Sequence, residues 1–156
     1  MINALNLVTK LQNRPWVDKD ITETLEKLWK YFDQNYHEFS SFEKWKKQVS
    51  KNQLTWSPVH TEKFWQAAFI YFNESDNLEL IKQEINFLRT QQESDKNTHD
   101  LDTRKAVACF DLGEFARYFP SGRQFLEIHG AKQQLAIIMG DPKVNPDLKK
   151  EAITAY

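Results

Sequence analysis

Residues 103–139 read TRKAVACFDLGEFARYF-PSGRQFLEIHG-AKQQLAIIM, and this stretch decides the fold. From Thr103 to Phe119 the residues Ala108, Leu112, Phe115 and Phe119 recur at helical spacing, with Ala106, Cys109, Phe110 and Gly113 on a second stripe. Pro120 ends the helix, because proline has no N–H to continue the ladder. Two shorter helices follow, about 121–128 and 131–139, separated by His129-Gly130. Asp141-Pro142 reads as a turn, and a last helix begins near Pro146.

This order of helix, tight break and two further helices resembles an armadillo unit. Ala106-Val107 and Ala152-Ile153 lie 46 residues apart, within the roughly 40–47 of HEAT and armadillo repeats. The final residues, Glu151 to Tyr156, show no cap signal, so the chain reads as cut from something longer.

Toward the N-terminus helical spacing continues. Residues 2–12 carry Ala4, Leu7, Val8 and Leu11 on one face, and Arg14-Pro15-Trp16 breaks the pattern. Asp20 with Glu23 reads as a capping box before a stripe of Ile21, Leu25, Leu28 and Phe32. Ser40 with Glu43 reads as a second box, opening a short helix with Phe42, Trp45 and Val49 on one side. Lys44, Lys46, Lys47 and Lys51 surround it as a solvated face. Ser57-Pro58 reads as a helix start, Ser capping and Pro at the first helical position. That helix runs to about Phe72 and is apolar on most sides, which predicts a central place in the packing. Trp56, Phe64 and Trp65 are expected to be buried and structural. Asp76 with Glu79 reads as a third box before Leu78, Ile81, Ile85 and Leu88. Residues 91–102 hold one apolar residue, Leu101, and read as an exposed loop.

Composition narrows the function. The chain has 156 residues, 40% apolar, with 21 basic against 22 acidic residues and a net charge of −1. That describes one folded domain with no overall field for nucleic acid or an anionic membrane. Its four glycines, Gly113, Gly122, Gly130 and Gly140, all lie in the last third. A phosphate-binding P-loop and a GxGxxG turn are thereby excluded. The longest apolar runs, Ala67–Phe72 and Leu135–Met139, are far short of the roughly 20 residues of a membrane span. Cys109 is the single cysteine, so an internal disulfide and a multi-cysteine zinc site are excluded.

Candidate chemistry is sparse. His37, His60, His99 and His129 are scattered and form no HExxH pattern. His60 is expected at the third position of its helix, helping to close the helix start. Ser57, His60 and Asp111 could be drawn as a triad, but no GxSxG elbow exposes the serine. Cys109, between Ala108 and Phe110, suits a small buried hydrophobe. Asp111 and Glu114 are expected to hydrogen-bond a neighbouring helix start. The surface of a helical scaffold remains as its product.

A family resemblance sharpens this. Leu54-Thr55-Trp56-Ser57-Pro58-Val59-His60 followed by Glu62-Lys63-Phe64-Trp65 resembles the H subunit of the vacuolar-type (V-type) proton ATPase. So do Arg14-Pro15-Trp16 with Asp18 and Asp20-Ile21, Ser40-Ser41-Phe42-Glu43, Asp111-Leu112-Gly113-Glu114 with Arg117-Tyr118, Pro120 and Gly122, and Gly130-Ala131-Lys132. The resemblance implies an all-α, HEAT/armadillo-like α-solenoid, a right-handed superhelical fragment of about seven to eight helices. Residues 1–16 would be the end of a preceding helix and linker, and 17–156 a C-terminal domain. It implies a non-catalytic regulatory subunit without cofactor or metal. Such a protein couples ATP hydrolysis in the soluble sector to proton transport in the membrane sector and inhibits hydrolysis by the detached soluble sector. Implied partners are catalytic-sector subunits, the peripheral stalk and the cytosolic domain of the membrane-sector a-subunit. The implied place is the cytosolic face of vacuolar, endosomal or other acidified membranes, without insertion. A general armadillo adaptor in membrane trafficking is the alternative. Partner binding is expected at the polar loop, through Glu93, Asp95, Lys96, Asp100, Asp102 and Arg104.

Overall fold

A computed structural model describes residues 2–73, 75–90 and 98–156. All regular structure among them is helical: α1 (Ile2–Gln12), α2 (Lys19–Ser50), α3 (Glu62–Ala68) with a 3-10 turn (Phe69–Asn73), α4 (Ser75–Leu88), α5 (Thr98–Tyr118), α6 (Gly122–Ile128), α7 (Ala131–Gly140) and α8 (Pro146–Ala155). The chain divides into two compact units, Met1–Phe42 and Glu43–Tyr156.

In the first unit the Gln12 side-chain amide donates to the Leu25 carbonyl at 3.4 Å and the Trp16 indole donates to the Leu11 carbonyl at 2.7 Å. Val8 and Leu25 are buried. The α2 start corrects the reading of Asp20. The Asp18 carboxylate accepts from the Asp20 N–H at 2.9 Å, and α2 begins at Lys19. Asp20 therefore lies in the first turn, where its charge faces the positive end of the helix dipole. The expected stripe is only partly covered: Leu25 is buried, while Ile21 and Leu28 remain exposed. Ser40 with Glu43 starts no new helix, for α2 runs through both. No Gly or Pro interrupts residues 19–50, so nothing forces the backbone out of helical angles there.

In the second unit α2 ends in a Schellman turn. Asn52 takes a left-handed φ of 51°. The Asn52 N–H donates to Val49 O and the Gln53 N–H to Gln48 O, both at 2.9 Å. The helix expected from Ser57-Pro58 starts later. Residues 57–60 form a turn closed by the His60 N–H on the Ser57 carbonyl at 2.9 Å, with Pro58 at its second position. Thr61, with extended backbone (φ −139°), caps α3, its side chain accepting from the Phe64 N–H. Proline's fixed φ suits a turn's second position as well as a helix's first, so the Ser-Pro signal fits either outcome. Asp76 likewise lies inside α4, which begins one residue earlier.

α5 is the hub, packed by α3, α4, α6 and α8, while α7 rests on α6, α8 and α4. Its approach to α8 depends on Gly113, where an added Cβ would lie 3.1 Å from Ala155 Cα. Gly130 turns the chain from α6 into α7 with a φ of 78°, a conformation glycine adopts without strain. The breaks at Pro120 and His129-Gly130 and the start at Pro146, capped by Asn145 on the Asp147 N–H at 2.8 Å, fall where the sequence places them. The polar loop is shorter than expected, because residues 98–102 belong to α5. Asp100 and Arg104 pair at 2.8 Å across one turn. Arg104 donates to the Asn52 carbonyl at 3.0 Å and Lys105 to the Thr90 carbonyl at 2.7 Å. These fixtures hold a helix start that has little apolar surface of its own.

Candidate functional site

The family-signature residues converge on one buried carboxylate. The last turns of α2 present Trp45 and Gln48 three residues apart on one face. Trp65 comes from α3, His60 from the preceding turn and Asp111 from the middle of α5. Asp111 Oδ2 accepts from the Trp45 indole N–H at 2.9 Å and meets His60 Nδ1 at 2.7 Å. Its Oδ1 accepts from the Trp65 indole N–H at 3.1 Å. The Asp111 and His60 side chains are both fully removed from solvent.

Rings seal this knot. Trp45 meets Trp65 edge to face at 5.5 Å, Trp65 stacks on Phe72 at 5.6 Å, and Phe72 meets Phe115 at 5.2 Å. Such aromatic pairs add about 0.5–1.5 kcal/mol each beyond area burial. On the outer side Gln48 accepts from the Thr55 N–H at 3.2 Å through Oε1, which also meets His60 Nε2 at 3.0 Å. Its Nε2 donates to Ser57 Oγ at 3.2 Å.

Beneath Asp111 lies Glu84 of α4, 1% exposed, with neither carboxyl oxygen hydrogen-bonded among the described residues. Burial pushes its carboxyl well above the ordinary value, and the neighbouring Asp111 carboxylate pushes the same way. Glu114 is raised too, chiefly by burial, with Arg117 pulling it back. Burial also drives the Cys109 thiol far up, in line with its expected role as a small hydrophobe.

Several expected placements change here. His60 lies before α3 rather than at its third position, and its ring is a network member instead of a helix cap. Among the described residues Asp111 and Glu114 cap no neighbouring helix: Asp111 takes the two indoles and the imidazole, and Glu114 pairs with Arg117. Trp56 is 48% exposed, its ring edge-on to Phe110 at 5.6 Å, whereas Phe64 and Trp65 are buried as expected. Of the drawn triad, His60 and Asp111 do meet, but the Gln48 amide stands between the imidazole and Ser57. Glu93, Asp95 and Lys96 lie outside the described residues. Asp100, Asp102 and Arg104 stand on the first turns of α5 rather than on a loop.

Two members of the cluster escape sequence reasoning. Glu84 sits between Ile81, Ile85 and Leu88 on the apolar stripe of α4, and a carboxyl on that stripe is the available signal. Gln48 has none, because its partners depend on the turn at 51–60.

The fold and the site define an all-helical scaffold whose carboxylate–imidazole constellation is enclosed by aromatic rings. The sequence profile of the V-ATPase H subunit matches residues 38–156, and the chain belongs to that family. It is 32% identical over 153 residues to the V-type proton ATPase H subunit of Drosophila melanogaster, covering 97% of this chain and 30% of that protein. A probable V-type proton ATPase H subunit of Oryza sativa subsp. japonica is 31% identical over 149 residues, 95% of this chain and 30% of the relative. The corresponding protein of Dictyostelium discoideum is 30% identical over 156 residues, 99% of this chain and 31% of the relative. The chain thus spans about three-tenths of the length of the curated relatives it matches.

Proposed function

We propose that the chain is a regulatory, non-catalytic part of a V-type proton ATPase. It couples ATP hydrolysis in the soluble sector to proton transport in the membrane sector, and it restrains hydrolysis when the soluble sector is detached. The observation that carries this reading is the family match over residues 38–156. The place of the signature residues supports it: Trp65, His60 and Asp111 are spent on an enclosed knot. A brake on a rotary machine needs stiffness and a docking surface, both of which close packing provides. Its partners are catalytic-sector subunits, the peripheral stalk and the cytosolic domain of the membrane-sector a-subunit. It works on the cytosolic face of vacuolar, endosomal or other acidified membranes, held there by those partners. Among the described residues no helix is long and apolar enough to cross a membrane.

The contact is proposed at residues 91–104, with Glu93, Asp95 and Lys96 in the connection and Asp100, Asp102 and Arg104 on the first turns of α5. In the test, the detached soluble sector is assayed for ATP hydrolysis with the chain added. One variant carries a Gly/Ser segment of equal length at 91–97, and another carries Asp100→Ala with Asp102→Ala. The unaltered chain lowers the rate. Both variants lower it less, by a margin that shrinks with salt, as rim charges do. A chain that neither binds the sector nor changes its rate refutes the function. Full inhibition by both variants refutes the contact alone and moves it to surfaces such as Lys44–Lys51.

A further inference from the structure

We infer that the Gln48–His60–Asp111–Glu84 cluster is a proton-operated latch: it closes only while Glu84 is a neutral acid, and it fastens the segment 54–65 onto α5. The inference rests on the cluster itself and stands apart from the proposed function.

The protons follow from the donors. The Thr55 N–H is an obligatory donor and it points at Gln48 Oε1 at 3.2 Å. That atom is therefore the amide oxygen, and the amide nitrogen faces Ser57 Oγ. His60 Nε2, 3.0 Å from the same oxygen, must then carry a proton. Its Nδ1 faces Asp111 Oδ2 at 2.7 Å. Oδ2 already accepts one indole N–H and Oδ1 another, so the Asp111 carboxylate is acceptor to three convergent donors. The proton on the short contact belongs to the imidazole, because two indole donors already hold Asp111 as an acceptor. Both ring nitrogens are thus donors, and His60 and Asp111 form an ion pair out of reach of water.

Glu84 completes the balance. Three donors hold the charge on Asp111, and Glu84 has no donor of its own among the described residues. Two carboxylates in one dry site cannot both ionise, so Glu84 keeps its proton. The titratable groups around it are Asp111 and Cys109 of α5, with His60 beyond Asp111 and with Lys105 of α5 and Glu151 of α8 acting on Cys109. The cluster is then neutral as a whole, with one cation, one anion and one neutral acid. Raising the pH removes the Glu84 proton and sets two anions against one cation.

The sign follows from linkage. Glu84 is raised above its ordinary value of 4.5, so between that value and its folded one the unfolded chain has released a proton that the folded chain retains. The stabilisation is complete below that window and is lost as the pH rises through it, at up to about tenfold in the folding constant per pH unit for one proton.

The test measures urea unfolding of the full chain across pH, together with the ring-nitrogen signals of His60 by NMR. The unaltered chain loses stability toward alkaline pH. Glu84→Gln, which keeps the shape and a donor but cannot ionise, removes the Glu84 part of that slope and is the more stable form at the alkaline end. Glu84→Met, apolar and of similar length, removes the same part. Both His60 nitrogens carry protons while the cluster is closed. In the unaltered chain the Trp45 and Trp65 indole N–H groups exchange faster as the pH rises; in Glu84→Gln that acceleration is reduced. An unchanged slope in both variants, or a His60 ring with one bare nitrogen, overturns the latch.

Discussion

Replacing Asp111 with asparagine alters few atoms and tests the knot directly. The carboxylate takes donors at both oxygens, whereas the amide offers one oxygen and an NH2 group. With its oxygen at the Oδ2 position, the amide keeps Trp45 and His60 but sets its NH2 against the Trp65 indole N–H. Turning the amide over satisfies Trp65 and confronts the other two. One buried donor left without an acceptor costs about 1–3 kcal/mol. With His60 and Asp111 paired as inferred above, removing one of the two charges costs about 3–5 kcal/mol. The two overlap in the same network, so Asp111→Asn should lose about 3–5 kcal/mol altogether. That is a large share of the roughly 5–15 kcal/mol of a whole domain. Tryptophan fluorescence during urea unfolding follows the chain's five tryptophans, Trp45 and Trp65 among them, and an unchanged slope against urea shows that the same surface is exposed on unfolding. A loss below about 1 kcal/mol, the low end for one orphaned donor, would mean that the carboxylate is not the acceptor the geometry describes.

Two further outcomes separate the surface from the core. Trp65→Ala should cost about 3–5 kcal/mol, as large ring deletions from cores do, while Trp56→Ala, from a half-exposed ring, should cost under about 1 kcal/mol; equal thermal shifts would contradict their burial. Cys109 should resist alkylation in the native chain and react once urea unfolds it, because burial both hides the thiol and suppresses its thiolate; rapid native labelling would place it elsewhere.

Features written into neighbouring residues are legible in the sequence. Pro120, His129-Gly130 and Asn145-Pro146 set helix ends through local backbone chemistry, and each end falls there. Trp45 and Val49 lie where their spacing puts them, on a buried face. Ser57-Pro58 misleads because a β-turn and a helix start share the same dipeptide, and the Gln48 contact that accompanies the turn comes from another helix. The first turns of α5 mislead because Arg104 and Lys105, just after the polar stretch, gain their hold from Asn52 and Thr90, well before them in the chain. The knot itself is out of reach. Asp111 meets Trp45, His60 and Trp65 across 66, 51 and 46 residues, and no periodicity carries that information.

The two anchors at the start of α5 bear on how the neighbouring connection can change over time. Lys105 grips the Thr90 carbonyl, and Arg104 grips that of Asn52. The residues between 90 and 98 therefore leave from and return to fixed posts that belong to the scaffold. Lengthening a connection between fixed posts costs little, about 0.6 kcal/mol for each doubling. Sequence and length there can drift without disturbing the packed frame that holds the posts.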